Sequence, residues 1–525
     1  MRKTTTWFSL AIGTFMVGAP PAHADPPALQ SVEFFGGSGD QRAASVVSDG
    51  AHLYAFGTTC FTVACSLFTA GSLAIDYPLP LGAPGWSAGS VGSFFHGGTL
   101  DASSLFPVGS AVPSACGASD GVGSTEAKSL VARYDTSGTL LGCGSPNFFP
   151  YRGWEEYYGA VSVAPFVYAT GYAESCGFGH LVFVLSKYDA VGNLLGTVTE
   201  PGATIGAGGC IGGSFGTAIA ELGGNLYVAG MSNLTSEDGF GSFVRPVLMR
   251  YSTGLARDWK VRVADVGHGQ FYAVTTHDAA VYAAGHVDGS GLDYLIEKYD
   301  EAGTRVWSRV SGGSGDDVVR GLAWASGRLF AAGWTTGPGS SGGADAVVLE
   351  IDPDTGDTLS TTLYGGAQDD LANAIVAVGN DLYVAGESRS FAEAGNTVGA
   401  NDALILHYST LLLESRVQPP IDADGSSVFR ASRGVVPVKF TLTRDGAATC
   451  DLPPATISLS RTAGGAPGPI DEGTYSGSAD RGSNFRQSDC QYVYNLQSKS
   501  LGVGTYRVSI AIDGVEVGDA TFGLN

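Results

Sequence analysis

The chain contains histidines, carboxylates, cysteines and aromatic residues, but its sequence completes no catalytic motif. It has no G-x-S-x-G nucleophile elbow, no H-E-x-x-H zinc motif and no Gly-rich phosphate loop with its lysine. Its histidines fall at unrelated positions of the repeat described below, so only the tertiary fold could bring them together. We therefore predict no catalytic residue and favour a non-enzymatic protein. The histidines concerned are His52, His96, His180, His268, His277, His286 and His407.

Acidic turns resemble fragments of calcium-binding loops. Asp316-Asp317 and Asp369-Asp370 follow Gly-rich turns, and residues 352–357 and 422–425 have oxygen-rich spacing. A calcium loop needs about six to eight oxygen ligands, including a well-placed later carboxylate, and none of these segments completes that set. The pattern predicts side-chain-capped turns and no cofactor, with a structural calcium ion as the alternative.

The first 24 residues have the layout of a secretory signal peptide. Arg2 and Lys3 precede an apolar run over residues 7–17, and Ala22-His23-Ala24 provides small residues for cleavage. No later segment reaches the roughly 18 to 20 apolar residues that a spanning helix needs. We expect a secreted or extracytoplasmic protein, surface-associated or periplasmic, with no membrane insertion.

Composition favours β-structure and excludes some partners. The chain has 78 glycines, 10% aromatic residues and only 15% charged residues, a mixture rich in turn and strand formers. Its net charge of −22 opposes binding to phosphate backbones and anionic lipid. We therefore predict an all-β protein without a nucleic-acid partner. Since about 500 mature residues exceed one ordinary core, we also predict more than one structural unit.

A strand-like phrase, apolar-aromatic-apolar-Ala-Gly, recurs along the chain. A second strand ending in Tyr-Asp or a related pair follows each copy, and a strand with a Gly-Gly turn closes the unit, as at residues 94–98 and 363–370. The second Gly of that turn lies 20 residues before the next phrase glycine in three cases, 37 to 57, 313 to 333 and 366 to 386. Counting a degraded copy at Gly109, the phrase ends at Gly57, Gly109, Gly171, Gly230, Gly285, Gly333 and Gly386.

Each unit has room for four short strands, which is the pattern of a β-propeller blade. A single twisted sheet of four strands cannot bury both faces, whereas sheets packed radially against neighbours can. Residues 31–35 form a strand of the unit-ending type that precedes the first full unit. We predict a seven-bladed β-propeller over residues 25–417, closed by pairing of this strand with the last blade.

These units resemble the bacterial seven-bladed β-propeller (SBBP-type) repeat, which carries GGSGDD, an LYVAG-like strand and a D-A-x-V-x-K-Y-D-like strand. The best matches are residues 312–333 with 345–352, and 365–386 with 402–408. The resemblance extends over residues 29–417. It implies the fold and little about activity, because propellers host binding, scaffolding and catalysis alike.

The last hundred or so residues have a different pattern. The segment QPPIDADG after residue 417 breaks the repeat, and short alternating strands follow, so we predict an immunoglobulin-like β-sandwich over residues 418–525. Pro437-Val438-Lys439-Phe440, with Cys450 and Cys490, resembles the PxKF domain of bacterial surface and secreted proteins, which implies an accessory role. The predicted strands cover residues 435–442, 492–496, 506–512 and 520–524.

Eight cysteines in an exported chain predict four disulfides. Cys116 and Cys176 follow the phrase strand, whereas Cys143 and Cys210 lie at unit-ending turns. In a propeller these two kinds of loop emerge on the same face. Metal ligation is the alternative, but thiolate sites are rare in an oxidising compartment and no histidine lies at ligand spacing. The predicted pairs are Cys116–Cys143, Cys176–Cys210, Cys60–Cys65 and Cys450–Cys490.

Residues 60–158 depart most from the repeat and are rich in aromatic side chains. Loops that depart from a rigid scaffold often bind ligands, so we predict Trp154, Tyr157 and Tyr158 as ligand-binding residues, with burial in the core as the alternative. The expected function is a non-enzymatic interaction protein that engages an extracellular protein or glycan. The alternative is a propeller hydrolase or lyase acting on extracellular polysaccharide, which a His–carboxylate pair or two close carboxylates at the channel mouth would favour.

Overall fold

The described residues of the computed structural model form nine β-sheets and one short 3-10 helix, Ser498–Ser500. The prediction of an all-β protein is confirmed. Within the described ranges, no helix has the length and hydropathy of a membrane-spanning segment. The structure describes residues 26–36, 39–60, 70–81, 83–111, 127–144, 154–175, 180–200, 213–232, 244–391, 401–410, 413–430, 434–444, 447–450, 452–465, 478–512 and 515–525. The predicted signal peptide, residues 1–24, lies outside them.

Seven of the sheets share one plan of four antiparallel strands, and in six of them the strands lie in chain order across the sheet. Sheet 1 contains β2 (Gln41–Ser48), β3 (His52–Cys60), β4 (Ala70–Pro78) and β5 (Trp86–Ala88); sheet 2 contains β6 (Ser93–Leu100), β7 (Ser104–Ala111), β8 (Lys128–Asp135) and β9 (Leu140–Gly144). Sheet 3 contains β10 (Glu155–Val163), β11 (Phe166–Ser175), β12 (His180–Asp189) and β13 (Leu194–Glu200); sheet 4 contains β14 (Ser214–Leu222), β15 (Asn225–Ser232), β16 (Arg245–Ser252) and β17 (Arg257–Arg262).

The remaining three sheets of this kind continue the series, and the last of them takes its fourth strand from the start of the chain. Sheet 5 contains β18 (Gly269–His277), β19 (Ala280–Asp288), β20 (Leu292–Asp300) and β21 (Arg305–Ser311); sheet 6 contains β22 (Asp317–Ala325), β23 (Arg328–Thr335), β24 (Asp345–Ile351) and β25 (Thr358–Tyr364). Sheet 7 contains β26 (Asp370–Val378), β27 (Asp381–Ser388), β28 (Asp402–Ser409) and β1 (Ala28–Phe35).

The seven sheets contact one another in a closed cycle. The first strand of each sheet packs against the first strand of the next, and β26 of sheet 7 packs against β2 of sheet 1. One buried apolar cluster lies between each pair of successive sheets. Each twisted sheet therefore buries both faces against neighbours, and the first strands surround a common axis, which is the β-propeller architecture.

The strand β1 closes this cycle. It pairs antiparallel with β28, with Phe34 opposite Leu404, and lies at the edge of sheet 7 farthest from β26. Val32 and Phe34 pack against the cluster between sheets 6 and 7. The predicted pairing of residues 31–35 with the strand that contains Leu404 is confirmed.

The glycine that ends each repeat phrase has a steric cause. In all seven sheets this glycine lies on the second strand opposite a β-bulge of the first strand. A Cβ atom at any of the seven positions would lie only 1.8–2.0 Å from a carbonyl oxygen of that first strand. The repeat therefore requires glycine here because two backbones approach too closely for any side chain.

Residues 94–98 were predicted to end a unit, and this prediction is wrong. They lie in β6, the first strand of sheet 2. A Cβ atom at Gly97 would lie 2.1 Å from the backbone oxygen of Tyr158, and one at Gly98 would lie 2.4 Å from the Phe56 ring. These glycines allow close packing between sheets rather than a turn.

The C-terminal residues form two further sheets around one shared core, built from residues such as Val438, Phe440, Val508 and Phe522. The first described strand of this pair, Leu413–Gln418, pairs with Val435–Arg444 and begins a few residues before the boundary predicted at 418. One sheet contains β29 (Leu413–Gln418), β31 (Val435–Arg444), β32 (Ala447–Thr449), β34 (Arg486–Ser488) and β35 (Gln491–Gln497). The other contains β30 (Val428–Phe429), β33 (Ala455–Ala463), β36 (Gly504–Ile512) and β37 (Val515–Leu524).

The predicted disulfide between Cys450 and Cys490 is confirmed. Cys60 and Cys143 are also disulfide-bonded. Their predicted partners, Cys65 and Cys116, lie outside the described residues, as does the predicted pair Cys176–Cys210.

Replacing both Cys450 and Cys490 by serine is expected to lower the stability of the C-terminal sheets by about 2–4 kcal/mol, because the bridge closes a loop of 40 residues in the unfolded chain. Hydrogen-exchange mass spectrometry of the full chain would localise the effect. Peptides from β31, β35 and β36 should lose protection while those from sheets 1–7 keep theirs. Unchanged exchange in β31 and β35 would contradict this expectation.

Candidate functional site

The first strands of the seven sheets present alternate side chains to the space around the axis. In β10, Glu155 and Tyr157 are buried, whereas Glu156 and Tyr158 are only half-buried. In β18, Phe271 is buried and Tyr272 is half-buried. Because successive side chains of a strand point to opposite faces, each first strand contributes one buried series and one series that reaches the axial space.

Half-buried polar and aromatic side chains from sheets 2 to 6 gather there, and we call them the axial cluster. Four of its members lie on first strands at the β-bulge, where an extra residue redirects the side chain. The others lie beside the bulge or just after the phrase glycine of the second strand. The axial cluster consists of His96, Glu156, Tyr158, Tyr172, Phe215, Tyr272, His286 and Arg320.

On the side of sheets 2 and 3, a histidine, a carboxylate and a phenol lie together. The Tyr158 hydroxyl donates a hydrogen bond to Glu156 Oε2 at 2.7 Å, and His96 Nε2 lies 3.8 Å from the same oxygen. Burial lowers the pKa of His96, although Glu156 opposes this effect. Burial, and then the charge of Glu156, raise the pKa of Tyr158. At neutral pH the arrangement is therefore a neutral imidazole and a neutral phenol beside a carboxylate.

Three aromatic rings continue this side of the axial cluster. The ring centroids of Tyr158, Tyr172 and Phe215 lie 6.0–6.1 Å from one another. All three side chains are half-buried. They form an apolar wall of sheets 3 and 4 that still reaches the axial space.

On the side of sheets 5 and 6, Arg320 lies over the Tyr272 ring, with its Cζ 4.2 Å from the ring centroid. The His286 ring stacks on the same tyrosine at 5.4 Å. Arg320 Nε and His286 Nδ1 are buried and have no hydrogen-bond partner among the described residues. Burial lowers the pKa of His286, Asp288 opposes this, and the positive charge of Arg320 lowers it further.

The two sides approach each other across the axis. The positive charge of Arg320, on sheet 6, lowers the pKa of the Tyr158 phenol, on sheet 3, against the larger effects of burial and Glu156. These sheets are not neighbours in the cycle, since at least two other sheets separate them in either direction. Their side chains can therefore interact only through the axial space.

The three residues predicted to bind a ligand occupy different environments. Tyr157 is fully buried, and its hydroxyl bonds Ser186 Oγ at 2.7 Å and the Tyr188 hydroxyl at 2.8 Å. It is a core residue, as the alternative interpretation held, and its side chain is not open to a ligand. Tyr158 belongs to the axial cluster. Trp154 is half-buried just before β10, where its backbone N–H donates to Glu174 at 3.3 Å.

The sequence reasoning did not identify His96, Glu156, Tyr272, His286 or Arg320. A signal was present, since the four bulge residues of the cluster each precede a Gly or Ala in the middle of a first strand. Aligning the units on that small residue would have placed an aromatic, histidine or arginine side chain at one repeat position in four units.

Acidic turns show the capping that was predicted. Asp352 Oδ1 accepts hydrogen bonds from the backbone N–H groups of Asp354 and Thr355, and Asp424 Oδ1 accepts one from that of Ser426. Within the described ranges, no three His, Cys, Asp or Glu side chains are grouped so that they could hold a metal ion.

Comparison with known proteins does not assign this chain to a family, because no family model and no curated protein matches it. Similar solved structures include the WD40 β-propeller domain of Doa1 (10% identity, TM-score 0.38, covering 73% of this chain and 97% of that one). The Neurospora crassa Pan2 WD40 domain (6%, 0.40, 72% and 98%) and Drosophila Plexin A in complex with Semaphorin 1b (8%, 0.40, 73% and 87%) are also similar. At these identities and TM-scores, none of them carries an inference about this chain's ligand or activity.

Proposed function

We propose that the protein is an exported, non-enzymatic binding protein that holds an extracellular protein or glycan at the axial cluster. In this proposal the cluster is built on a seven-bladed β-propeller of the bacterial SBBP type. A C-terminal immunoglobulin-like sandwich of the PxKF type acts as an accessory domain. The observation that carries the proposal is the convergence of half-buried aromatic rings and unpaired polar atoms from five sheets.

Seven four-stranded sheets in cyclic contact, closed by β1, support the seven blades. Two sheets around one core support the sandwich. Disulfide-bonded cysteines in both parts of the chain support export, because such bonds persist in oxidising compartments. We accordingly propose that the protein is secreted or extracytoplasmic.

The axial cluster has the properties expected of a binding site rather than of a core. Its aromatic rings stay half-buried although fully buried positions of the same strands are filled by other aromatics, such as Tyr157 and Phe271. Buried polar atoms normally find partners within the protein, so several unpaired ones in a single cluster suggest that a ligand completes them. Ligand sites commonly combine an apolar wall with a few convergent polar groups.

Replacing Tyr158 by alanine is expected to reduce ligand retention by the full mature chain at least several-fold, because the substitution removes part of the aromatic wall. Retention would be measured on an array of extracellular polysaccharides and on immobilised extracellular-matrix proteins. Tyr364→Ala is the matched control, since Tyr364 is a half-buried tyrosine on β25, away from the axial cluster. Equal loss in both variants, or loss only in the control, would refute the assignment.

A polysaccharide hydrolase or lyase is a second candidate, favoured by the neutral His96 beside Glu156 and the Tyr158 hydroxyl. A neutral imidazole can accept a proton and a carboxylate can orient it. Incubating the chain with each retained polysaccharide and assaying new reducing ends and unsaturated products separates the two functions. A binding protein releases no product. Product release that Glu156→Gln abolishes would establish the enzyme instead.

A further inference from the structure

We propose that the axial cluster binds a sugar acid, a carboxylate-bearing sugar ring of an acidic glycan, with Arg320 holding the carboxylate. This inference rests on the proposed function and narrows its ligand to one chemical class. Three features of the cluster lead to it: an unpaired cation, flat apolar faces, and unpaired groups that suit hydroxyls.

Arg320 is a half-buried cation that forms no direct ion pair among the described residues. No hydrogen bond or ion pair from it is present there, and its Nε is buried without a partner. The carboxylate of Glu387 lies near enough to interact with Arg320. Glu387 is already bound by Arg42 at 3.0 Å and by the Asn401 amide at 2.6 Å, however. An unpaired charge that is partly removed from water is unfavourable, so the site favours a ligand that brings a negative charge.

The position of Arg320 over the Tyr272 ring favours a particular kind of anion. The guanidinium carbon lies 4.2 Å from the ring centroid, and the N–H groups of any guanidinium point outward within its own plane. A planar carboxylate can accept two parallel hydrogen bonds from these N–H groups. Tyr272 and His286 extend the surface beside this carboxylate position.

The rest of the ligand meets rings on one side and polar groups on the other. Tyr158, Tyr172 and Phe215 offer apolar faces of the kind that cover a saturated ring. Glu156 can accept hydrogen bonds, and the neutral imidazoles of His96 and His286 can each donate one and accept one. Hydroxyl groups both donate and accept, and they would satisfy the buried nitrogen atoms of the two histidines. A fatty acid or a bare inorganic anion would leave these groups unpaired.

Isothermal titration of the full mature chain with a trimer of galacturonic acid and with the matched neutral trimer of galactose tests the inference. We expect the acid to bind at least about tenfold more tightly than the neutral sugar, since only the acid accepts charge-assisted hydrogen bonds from Arg320. Arg320→Gln should weaken binding of the acid by a similar factor and leave the neutral sugar unchanged. Arg309→Gln, on β21 and away from the axial cluster, should change neither.

Arg320→Gln should also leave the thermal midpoint of the ligand-free chain unchanged or raise it, because the substitution breaks no ion pair within the described part of the protein. Equal affinity for the two trimers, or no effect of Arg320→Gln, would overturn the sugar-acid inference while leaving the Tyr158 test of the proposed function standing. Complete displacement of the acid by equimolar sodium sulfate would show a simple anion site and overturn it too. Failure of every glycan and matrix protein to be retained would refute the proposed function itself.

Discussion

Replacing Arg305 by methionine is expected to lower the free energy of unfolding by about 3–5 kcal/mol, the largest effect of a single substitution that we predict. Arg305 lies on β21 and pairs with Glu297 of β20 at 3.0 Å, and the Glu297 side chain is 0% exposed. The Tyr299 hydroxyl also donates to Glu297. Without Arg305, a buried carboxylate loses its counter-ion, whereas methionine preserves much of the apolar stem.

The pH dependence of this loss has a definite sign. Burial already raises the pKa of Glu297, against the opposing effects of Tyr299, Ser308 and Arg305, and removing Arg305 raises it further. A group whose pKa is raised on folding favours the folded state below its unfolded pKa, and this contribution disappears as the pH rises through the folded pKa. The loss of unfolding free energy caused by Arg305→Met should therefore increase as the pH rises. It should decrease as the pH is lowered toward the ordinary pKa of a glutamate.

Arg309→Met is the matched control, because Arg309 lies on the same strand and pairs with Asp357 at 3.0 Å in an exposed setting. The side chains of this pair are 42% and 64% exposed, so their interaction should contribute no more than about 1 kcal/mol. Urea unfolding followed by tryptophan fluorescence measures both variants. Similar losses for the two variants would show that burial of Glu297 does not govern the effect.

Replacing Gly333 by alanine is expected to destabilise the protein by about 1–3 kcal/mol or more, as overpacking of a closely packed interior does. A Cβ atom at this position would lie 1.9 Å from the backbone oxygen of Val318 and 2.9 Å from the Val319 Cα. Both contacts are with backbone, which cannot move aside as a flexible side chain can. The bulge of β22 would have to shift, and with it the side chain of Arg320.

Gly142→Ala provides the comparison, since Gly142 also lies in a strand and a Cβ atom there would meet nothing within 4 Å. Its unfolding midpoint in urea should equal or slightly exceed that of the parent chain. The same experiment on Gly333→Ala should give a lower midpoint. Equal midpoints for the two variants would mean that the repeat glycine is not required by the close approach to the bulge.

The repeat was readable from the sequence because its physical requirements recur in each sheet. Each unit has a glycine opposite the bulge and a buried apolar phrase on its second strand. Both features can be recognised in the sequence of a unit without knowing which sheet packs against it. Pairing of β1 with β28 could be predicted for the same reason, since an extra unit-ending strand before the first unit has only one free edge to occupy. Residues 94–98 were wrongly predicted to form a unit-ending turn because the sequence does not distinguish a glycine required by close packing of two sheets from one required by a turn.

The candidate site was harder to predict because its members come from five sheets. Tyr157 and Tyr158 are adjacent in sequence, yet one is a core residue and the other faces the axis, because successive side chains of β10 point to opposite faces. The high aromatic content of residues 60–158 pointed to this segment but did not distinguish Tyr157 from Tyr158. Arg320 and His286 lie in repeats that follow the pattern closely, so neither unit shows a local departure from it. The signal for Arg320 appears only when the units are aligned on the small residue after the bulge.

The sequence by itself determined the β-class, the repeating four-strand unit, the strand that closes the cycle and the bridge from Cys450 to Cys490. These features depend on local strand preference, on glycine sterics and on spacing, which recur within each unit. Only the tertiary structure decided that His96, Tyr158 and Arg320 share one space, since that depends on the cyclic packing of the sheets. Side chains that are far apart in sequence and on separate sheets become neighbours only when the ring closes around its axis.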